Sequence, residues 1–498
     1  MPVVNKNSNT SRSLLPVSGF TLGMLTIFIG SILLRFWGLS RFNTLVFDEV
    51  YYAKFGNNYL TQTPFFNSHP PVSQYLIAIG IWLGSKLPFG HETVNQLTGS
   101  TLSTWSYRWF NALFGSFIPL IVGAIAYQLT HRRSYTLIAT FLMAIDGLFI
   151  VESRYALSNI YIVFFGLLGQ LFFLIALQKK GLNRWFWMSL AGIGLGLSIA
   201  TKWNGLGFLV GIDGIVIAGF IVQKMSEKSD NKPTESSFKS PLENLTQLTP
   251  ILMGVTLILI PILVYIIAWL PHLQQNPTPG FWGLQTKIWG YHQNLGDGEK
   301  VHPYCSKWYS WLLMLRPVAY FFTKVEATTP PNPILPLNNP EQLPLIYAVH
   351  AMGNPFLWWL STLASLLLIG MLIQRIWREI SVQFSRLKPQ FSLQFPPTPE
   401  LWLTTFLTLN WLANILPWVK VTRCLFIYHY MTGFVFSCMA LAWWLERWLY
   451  SHKPQFRWLG GTVICLVLFG FLYWMPLYLG LPMSPGQWKM RMWFQSWI

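Results

Sequence analysis

What constrains this chain most is a recurring length. Apolar stretches of about 17–22 residues, enough for a helix to cross a bilayer, return from one end to the other. They fall near residues 20–37, 110–130, 135–151, 160–177, 185–200, 206–222, 251–270, 355–373, 401–418, 425–445 and 458–479. The pattern predicts an all-α polytopic membrane protein with about eleven transmembrane helices. Composition agrees, since 53% of the 498 residues are hydrophobic and 10% are charged, far from the balance of a soluble domain. The polar start, MPVVNKNSNTSRS, leads into an apolar run ending in RFWGLSRF. No small-residue cleavage site follows, so this run reads as a retained first span.

Lys and Arg outnumber Asp and Glu by 34 to 17. No nucleic-acid module accompanies that excess, and its distribution points to topology. Basic residues concentrate in alternate connections: Arg132 and Arg133; Lys179, Lys180 and Arg184; Lys224, Lys228, Lys232 and Lys239; Arg375, Arg378, Arg386 and Lys388; Arg447, Lys453 and Arg457. Those connections are expected in the cytoplasm together with the N-terminus. An odd number of crossings then puts the C-terminus outside, with the two longest connections, 39–109 and 271–354. Within these, SQYLIAIGIWLGSKL and GFWGLQTKIWGYHQNL suit helices lying on the membrane surface. The polar segment EKSDNKPTESSFKS marks a cytoplasmic linker, 226–248. It separates an N-terminal module, 1–225, from a C-terminal one, 249–498.

Several cations break this charge rule by lying at the outer face: Arg108, Arg154, Lys202, Lys420 and Arg423. Each alone could snorkel to headgroups or pair with an acid. Together they make a positive ring suited to a phosphate at the membrane surface. The adjacent acids of FDEVYY, Asp48 and Glu49, share that face. On a helix they would point about 100° apart, so they cannot form a glycosidase-type pair, and one is expected to do chemistry. Asp146 reads as a structural partner for Arg154, and Asp213, in the middle of a span, as packed inside the bundle. His69, His302 and His429 lie outside or near the outer surface. They have no carboxylate neighbours in sequence, so separate hydrogen-bonding roles are expected ahead of a metal site. Cys305, Cys424, Cys438 and Cys465 show no C-x-x-C spacing, and neither a disulfide framework nor a metal knuckle is expected.

Taken together, VFDEVYYAKFGNNYL, FFNSHPP, YRWFNALFGSFIPL, DGLFIVESRYAL, KWNGL, HPYCSKWYSW and RCLFIYHY resemble, in order, the protein O-mannosyltransferase family, membrane enzymes of the GT-C class. The chain looks like a bacterial member, for it has nothing like the large soluble loop domain of the eukaryotic enzymes. The resemblance implies a GT-C type helix bundle in the plasma membrane, with its active site extracytoplasmic. It also implies transfer of mannose, with inversion, from a polyprenyl-phosphate carrier to Ser or Thr hydroxyls of translocated proteins. Carried over by position, the acidic pair falls on Asp48 and Glu49, with Asp48 as base and Glu49 orienting the acceptor or pairing with an arginine. The family arginines fall on Arg108, Arg154 and Arg423, which with Lys202 are expected at the donor phosphate. His69, His302, His429 and Tyr428 are expected to support substrate or structure. Gln74, Asn159 and Thr432 depart from the family pattern, which commonly has Lys, Asp and Pro there.

The chemistry is coherent. A phosphate ester leaves readily once its charge is neutralised, so cations can replace a second carboxylic acid, while the acceptor hydroxyl needs a base. No cofactor is expected, and a divalent-ion dependence is left open. The implied partners are the lipid-linked donor, protein acceptors and the bilayer, with no nucleic acid. Two other readings stand beside this one: a GT-C transferase acting on a lipid or glycan, and a transporter or flippase. The latter would place its charges near the bilayer midplane, whereas here they gather at one face.

Overall fold

A computed structural model describes residues 18–91, 94–97, 100–227, 244–326, 335, 344–385 and 398–498. The apolar runs are helices, and several begin where a hydroxyl side chain caps the first turn, often ahead of a proline that needs no N–H there. Ser18 caps α1 (Gly19–Phe36) by accepting from Thr21 N at 3.2 Å. Then come α2 (Glu49–Leu60), α3 (Val72–Gly84), a hairpin of β1 (Val94–Leu97) and β2 (Ser100–Ser103), and α4 (Thr104–Thr130). The first half continues with α5 (Arg133–Ala144), α6 (Gly147–Arg154), α7 (Asn159–Leu177), α8 (Gly181–Ile199) and α9 (Leu206–Glu227). Next is α10 (Pro250–Gln275), capped by Thr249 and widened to a π-helix over Gly254–Leu259.

The second half contains α11 (Gly280–Asn294), α12 (Trp308–Leu312), β3 (Val318–Val325), β4 (Leu345–Ala351), α13 (Pro355–Ser385) and α14 (Pro399–Ile415), the last capped by Thr398. It ends with α15 (Met431–Leu449), α16 (Pro454–Leu479), β5 (Pro482–Met483) and α17 (Pro485–Arg491). Every expected span overlaps one of these helices or the pair α5–α6. Among the described residues, seven helices are long and apolar enough to cross a membrane, or eight if the α5–α6 pair is one span. The pair bends by 57° where a continuous span was expected. The cause is local: Asp146 is extended and caps α6, its Oδ1 accepting from Phe149 N at 3.1 Å.

The fold is mostly but not wholly α. β3, β4 and β5 form an antiparallel sheet, with β4 buried along its whole length between its two neighbours. In the helical part, α4 packs against α1, α3, α5, α6 and α7, while α7 lies along α8, and α8 along α10. The halves meet most extensively where α9 packs on α14 and α5 on α15, α6 also touches α16 and β4, and one continuous apolar core draws on both. Close approach needs glycine at Gly192, where a Cβ would sit 2.0 Å from Thr256 O. Asp213 is exposed on α9, beside Val210 and Ile217, which corrects the expectation that it packs inward. The linker expected at 226–248 lies mostly outside the described residues.

Candidate active site

The site is built on the segment that leaves α1, and two arginines stitch that segment down. Arg154, 2% exposed, donates through Nη1 to Leu34 O at 3.0 Å and Trp37 O at 2.6 Å, and through Nη2 to Gly38 O at 3.2 Å. It thereby satisfies carbonyls that the end of a helix leaves without partners, and its charge suits the negative end of the helix dipole. Arg108, fully buried, continues the same task. Nη1 donates to Leu39 O and Phe42 O at 2.8 and 3.1 Å, and Nη2 to Thr44 O at 2.7 Å. Its Nε and Nη2 grip Glu49 Oε1 and Oε2 at 2.9 and 2.8 Å. All five N–H groups of Arg108 are thus used by protein acceptors, and Arg154 is committed to backbone. Both arginines thus hold the loop through protein acceptors, where the sequence reading expects donor-phosphate ligands. Asp146 does not pair with Arg154; besides capping α6, its Oδ2 accepts from Asn354 N at 3.4 Å.

Glu49 is equally committed. Besides Arg108 it accepts from Val46 N at 2.8 Å and Ala156 N at 2.9 Å. Its geometry is that of an arginine partner, with no lone pair facing a substrate. Asp48 is the opposite case. It occupies the N-cap of α2, but its backbone is αR and its side chain makes no capping hydrogen bond, so the carboxylate stays available. Phe47 aims it: this residue adopts φ 52°, a conformation unusual for a bulky side chain. Its ring stacks on Tyr320 at 4.2 Å and meets Tyr428 at 6.2 Å and His302 at 6.3 Å. Burial pushes the Asp48 carboxyl up to about 6, and the nearby Lys202 ammonium partly opposes that rise.

Lys202 sits in the turn from α8 to α9, 6% exposed. The neighbouring Ala200 carbonyl accepts from Val72 N at 3.1 Å, which ties this turn to the start of α3. Lys202 Nζ donates to Asn159 Oδ1 at 3.1 Å and lies 5.5 and 5.7 Å from the rings of Tyr52 and Tyr428. Burial lowers its pKa, with Asp48 and Glu152 pulling the other way. Asn159 in turn donates through Nδ2 to Glu152 Oε2 at 3.1 Å, and Tyr320 OH donates to Glu152 Oε1. Sequence reasoning missed both Glu152 and Tyr320; they are 168 positions apart, and neither is marked by local spacing.

Lys202 also lines a cavity of about 780 Å³, walled by His69, Trp203, Val210, Trp289, His292, Asn414, Trp418, Lys420, Arg423 and His429. Among the described residues Arg423 makes one hydrogen bond, Nη1 to Cys424 O at 3.2 Å, so most of its fork is free for a ligand. His69 and His292 face each other with ring centroids 5.0 Å apart. Burial holds His69 well below the usual imidazole range and His292 at about 4. Both are neutral at neutral pH, and the cavity's formal charges are Lys202, Lys420 and Arg423. His429 joins the wall beside Trp418, at 4.7 Å between rings. His302 does not; it packs on Phe426 at 5.0 Å, behind Phe47. Tyr428 is buried between Phe47 and Lys202. His292, in the stretch read only as a surface helix, carried no sequence signal as a wall residue. No group of three or more metal-ligating side chains occurs among the described residues.

The segment carrying Arg423 is anchored covalently, since Cys305 and Cys424 form a disulfide across 119 positions. This corrects the expectation of unpaired cysteines, which rested on short-range spacing. Backbone bonds reinforce the link: Ser306 N donates to Leu425 O and Cys424 N to Gly296 O, both at 2.8 Å.

Comparison with known proteins places this arrangement. The chain is 24% identical to the polyprenol-phosphate-mannose–protein mannosyltransferase of Mycolicibacterium smegmatis over 91% of its length and 88% of that protein. The Mycobacterium tuberculosis protein of the same name is 23% identical over 93% of this chain and 88% of its own. The S. cerevisiae protein O-mannosyltransferase Pmt1-Pmt2 complex bound to the sugar donor matches with a TM-score of 0.73 at 14% identity, covering 97% of this chain and 93% of that one. ArnT from Cupriavidus metallidurans bound to undecaprenyl phosphate matches with a TM-score of 0.52 at 11% identity, over 92% and 64%. These two are likenesses of fold, in keeping with the expected GT-C type bundle. Residues 277–497 match the C-terminal four TMM region of protein-O-mannosyltransferase. With residues 25–275 matching the dolichyl-phosphate-mannose-protein mannosyltransferase model, half of the chain by itself, the protein belongs to that family.

Proposed function

We propose that this chain transfers mannose from a polyprenyl-phosphate carrier to Ser and Thr hydroxyls of proteins at the outer face of a bacterial plasma membrane. The mycobacterial relatives' names support the donor and the protein acceptor. One observation carries the site: the uncapped Asp48 carboxylate shares a pocket of charge with Lys202, and Lys202 and Arg423 open on one cavity. Asp48 takes the proton of the acceptor hydroxyl as its oxygen bonds to the anomeric carbon. The bond from that carbon to the carrier phosphate breaks in the same displacement, which inverts the centre. Lys202 and Arg423 take up the charge that grows on the leaving phosphate. Glu49, Arg108 and Arg154 hold the frame.

The topology consistent with this reading has eleven crossings, the N-terminus inside and the 39–109 and 271–354 connections outside. The Cys305–Cys424 disulfide supports that side for the site, since such bonds persist outside the reducing cytoplasm. The test is an assay of purified protein in detergent with radiolabelled polyprenyl-phosphate-mannose and a Ser/Thr-rich peptide. Label should pass to the peptide in the native enzyme and not in Asp48→Asn. Transfer only to a lipid or glycan added in its place would overturn the acceptor assignment.

A further inference from the structure

A lysine that is to receive a phosphate beside a catalytic carboxylate has to be kept from closing on that carboxylate. The nearest hydrogen-bond partner of Lys202 is Asn159 Oδ1. An amide can present that oxygen only if its NH₂ end has somewhere else to point, and here it points at Glu152. Glu152, fully buried, is accepting from Tyr320 on its other oxygen. The donors run in one direction, Lys202 to Asn159 to Glu152, with Tyr320 closing the far end. A carboxylate is acceptor-only when ionised, so it orients the Asn159 amide, with a charge-assisted bond that an apolar residue in its place could not offer and a neutral amide would weaken.

We infer that Glu152 is a positioning residue for the transfer reaction: by fixing the orientation of Asn159 it parks the Lys202 ammonium beside the cavity, ready for the donor phosphate and apart from Asp48. Tyr320 has two parts in this. Its hydroxyl secures Glu152, and its ring carries Phe47, the residue that aims Asp48. The base and the phosphate-binding cation are thus set by one buried cluster, whose members come from α6, the start of α7, the turn before α9, and β3. The inference rests on the proposed phosphate role of Lys202.

A double-mutant cycle on binding of a short-chain polyprenyl phosphate tests it without needing turnover, read from the fluorescence of Trp203, Trp289 and Trp418, which line the cavity. Glu152→Gln keeps the shape but removes the negative charge that draws the Asn159 amide and the Tyr320 hydroxyl. It should weaken binding about 10-fold, a coupling typical of residues in one network, with the melting temperature near that of the native protein. Tyr320→Phe keeps the ring on Phe47, so it folds even if Glu152→Gln does not, and it should weaken binding in the same direction by less. In a Lys202→Met background, Glu152→Gln should add nothing further. Unchanged binding in both Glu152→Gln and Tyr320→Phe, or full additivity with Lys202→Met, overturns the positioning role and leaves the phosphate role standing. If Lys202→Met itself binds the lipid phosphate normally, the phosphate role falls and this inference falls with it.

Discussion

Asp48 opens α2 without capping it, so substitution there separates chemistry from folding. Asp48→Asn should cut transfer by about 10²–10⁴-fold, the usual worth of a general base, while its detergent melting curve overlays that of the native protein. Arg108→Ala should do the reverse: it strands the buried Glu49 carboxylate, at a cost of about 3–5 kcal/mol, and shows first as lost expression and a lowered melting temperature. Arg423→Lys keeps the charge but loses the planar fork. Its donor KM should rise several-fold with peptide KM unchanged; an unaltered donor dependence removes Arg423 from the phosphate site. Activity should also follow pH. As the proposed base Asp48 would act in its ionised form, and burial pushes its carboxyl up to about 6, so kcat/KM should fall as pH drops through that value. As the proposed phosphate ligand Lys202 would act protonated, and burial lowers its pKa below that of an ordinary lysine, so an alkaline decline should begin earlier than a free lysine would give. A flat profile between pH 5 and 7 sinks Asp48 as base. At this scale the sequence was half legible. The acid pair stood out beside a span, and Lys202 and Arg423 stood out as outer-face cations. Arg108 and Arg154 showed the same charge anomaly, yet backbone carbonyls draw cations as phosphates do, and sequence cannot tell the two apart.

The helices were legible because apolar length is a local property. What joins distant positions was not. β4 pairs with β3 on one side and, through Ile346 and Tyr347, with Met483 and Pro482 on the other, a partnership that no local alternation reveals. The bend between α5 and α6 was hidden for another reason: Asp146 and Gly147 interrupt an apolar run too briefly to end it. The disulfide closes a loop of over a hundred residues, so Cys305→Ser should cost about 2–4 kcal/mol of stability. Because Cys424 follows Arg423 directly, the same variant should also loosen donor binding. Melting curves and donor KM measured with and without reductant would check this. A native enzyme whose donor KM ignores reduction, once thiol counting confirms that the bond has opened, would show that the backbone bonds at Ser306 and Cys424 suffice.

The molecule as a whole leaves one kind of surface open that water would not tolerate. α10 presents Ile258, Ile262, Ile266 and Ile267, each at least 40% exposed, and a bilayer supplies the apolar surroundings they lack. The proposed orientation can be checked with single cysteines at the exposed positions Lys179 and Lys300, after replacing Cys438 and Cys465 and leaving the disulfide oxidised. An impermeant thiol reagent applied to intact cells should label position 300 and spare 179; the reverse pattern would invert the topology and move the site to the cytoplasm. The two family regions meet at residues 275–277, but the cavity ignores that junction. His69, Lys202 and Trp203 come from one side of it, and His292, Trp418 and Arg423 from the other. Recombination between relatives at this natural-looking breakpoint would therefore cut through the proposed donor site. A chimera would inherit Lys202 from one parent and Lys420 and Arg423 from the other, so on the proposed reading neither half can carry donor preference into a new enzyme alone.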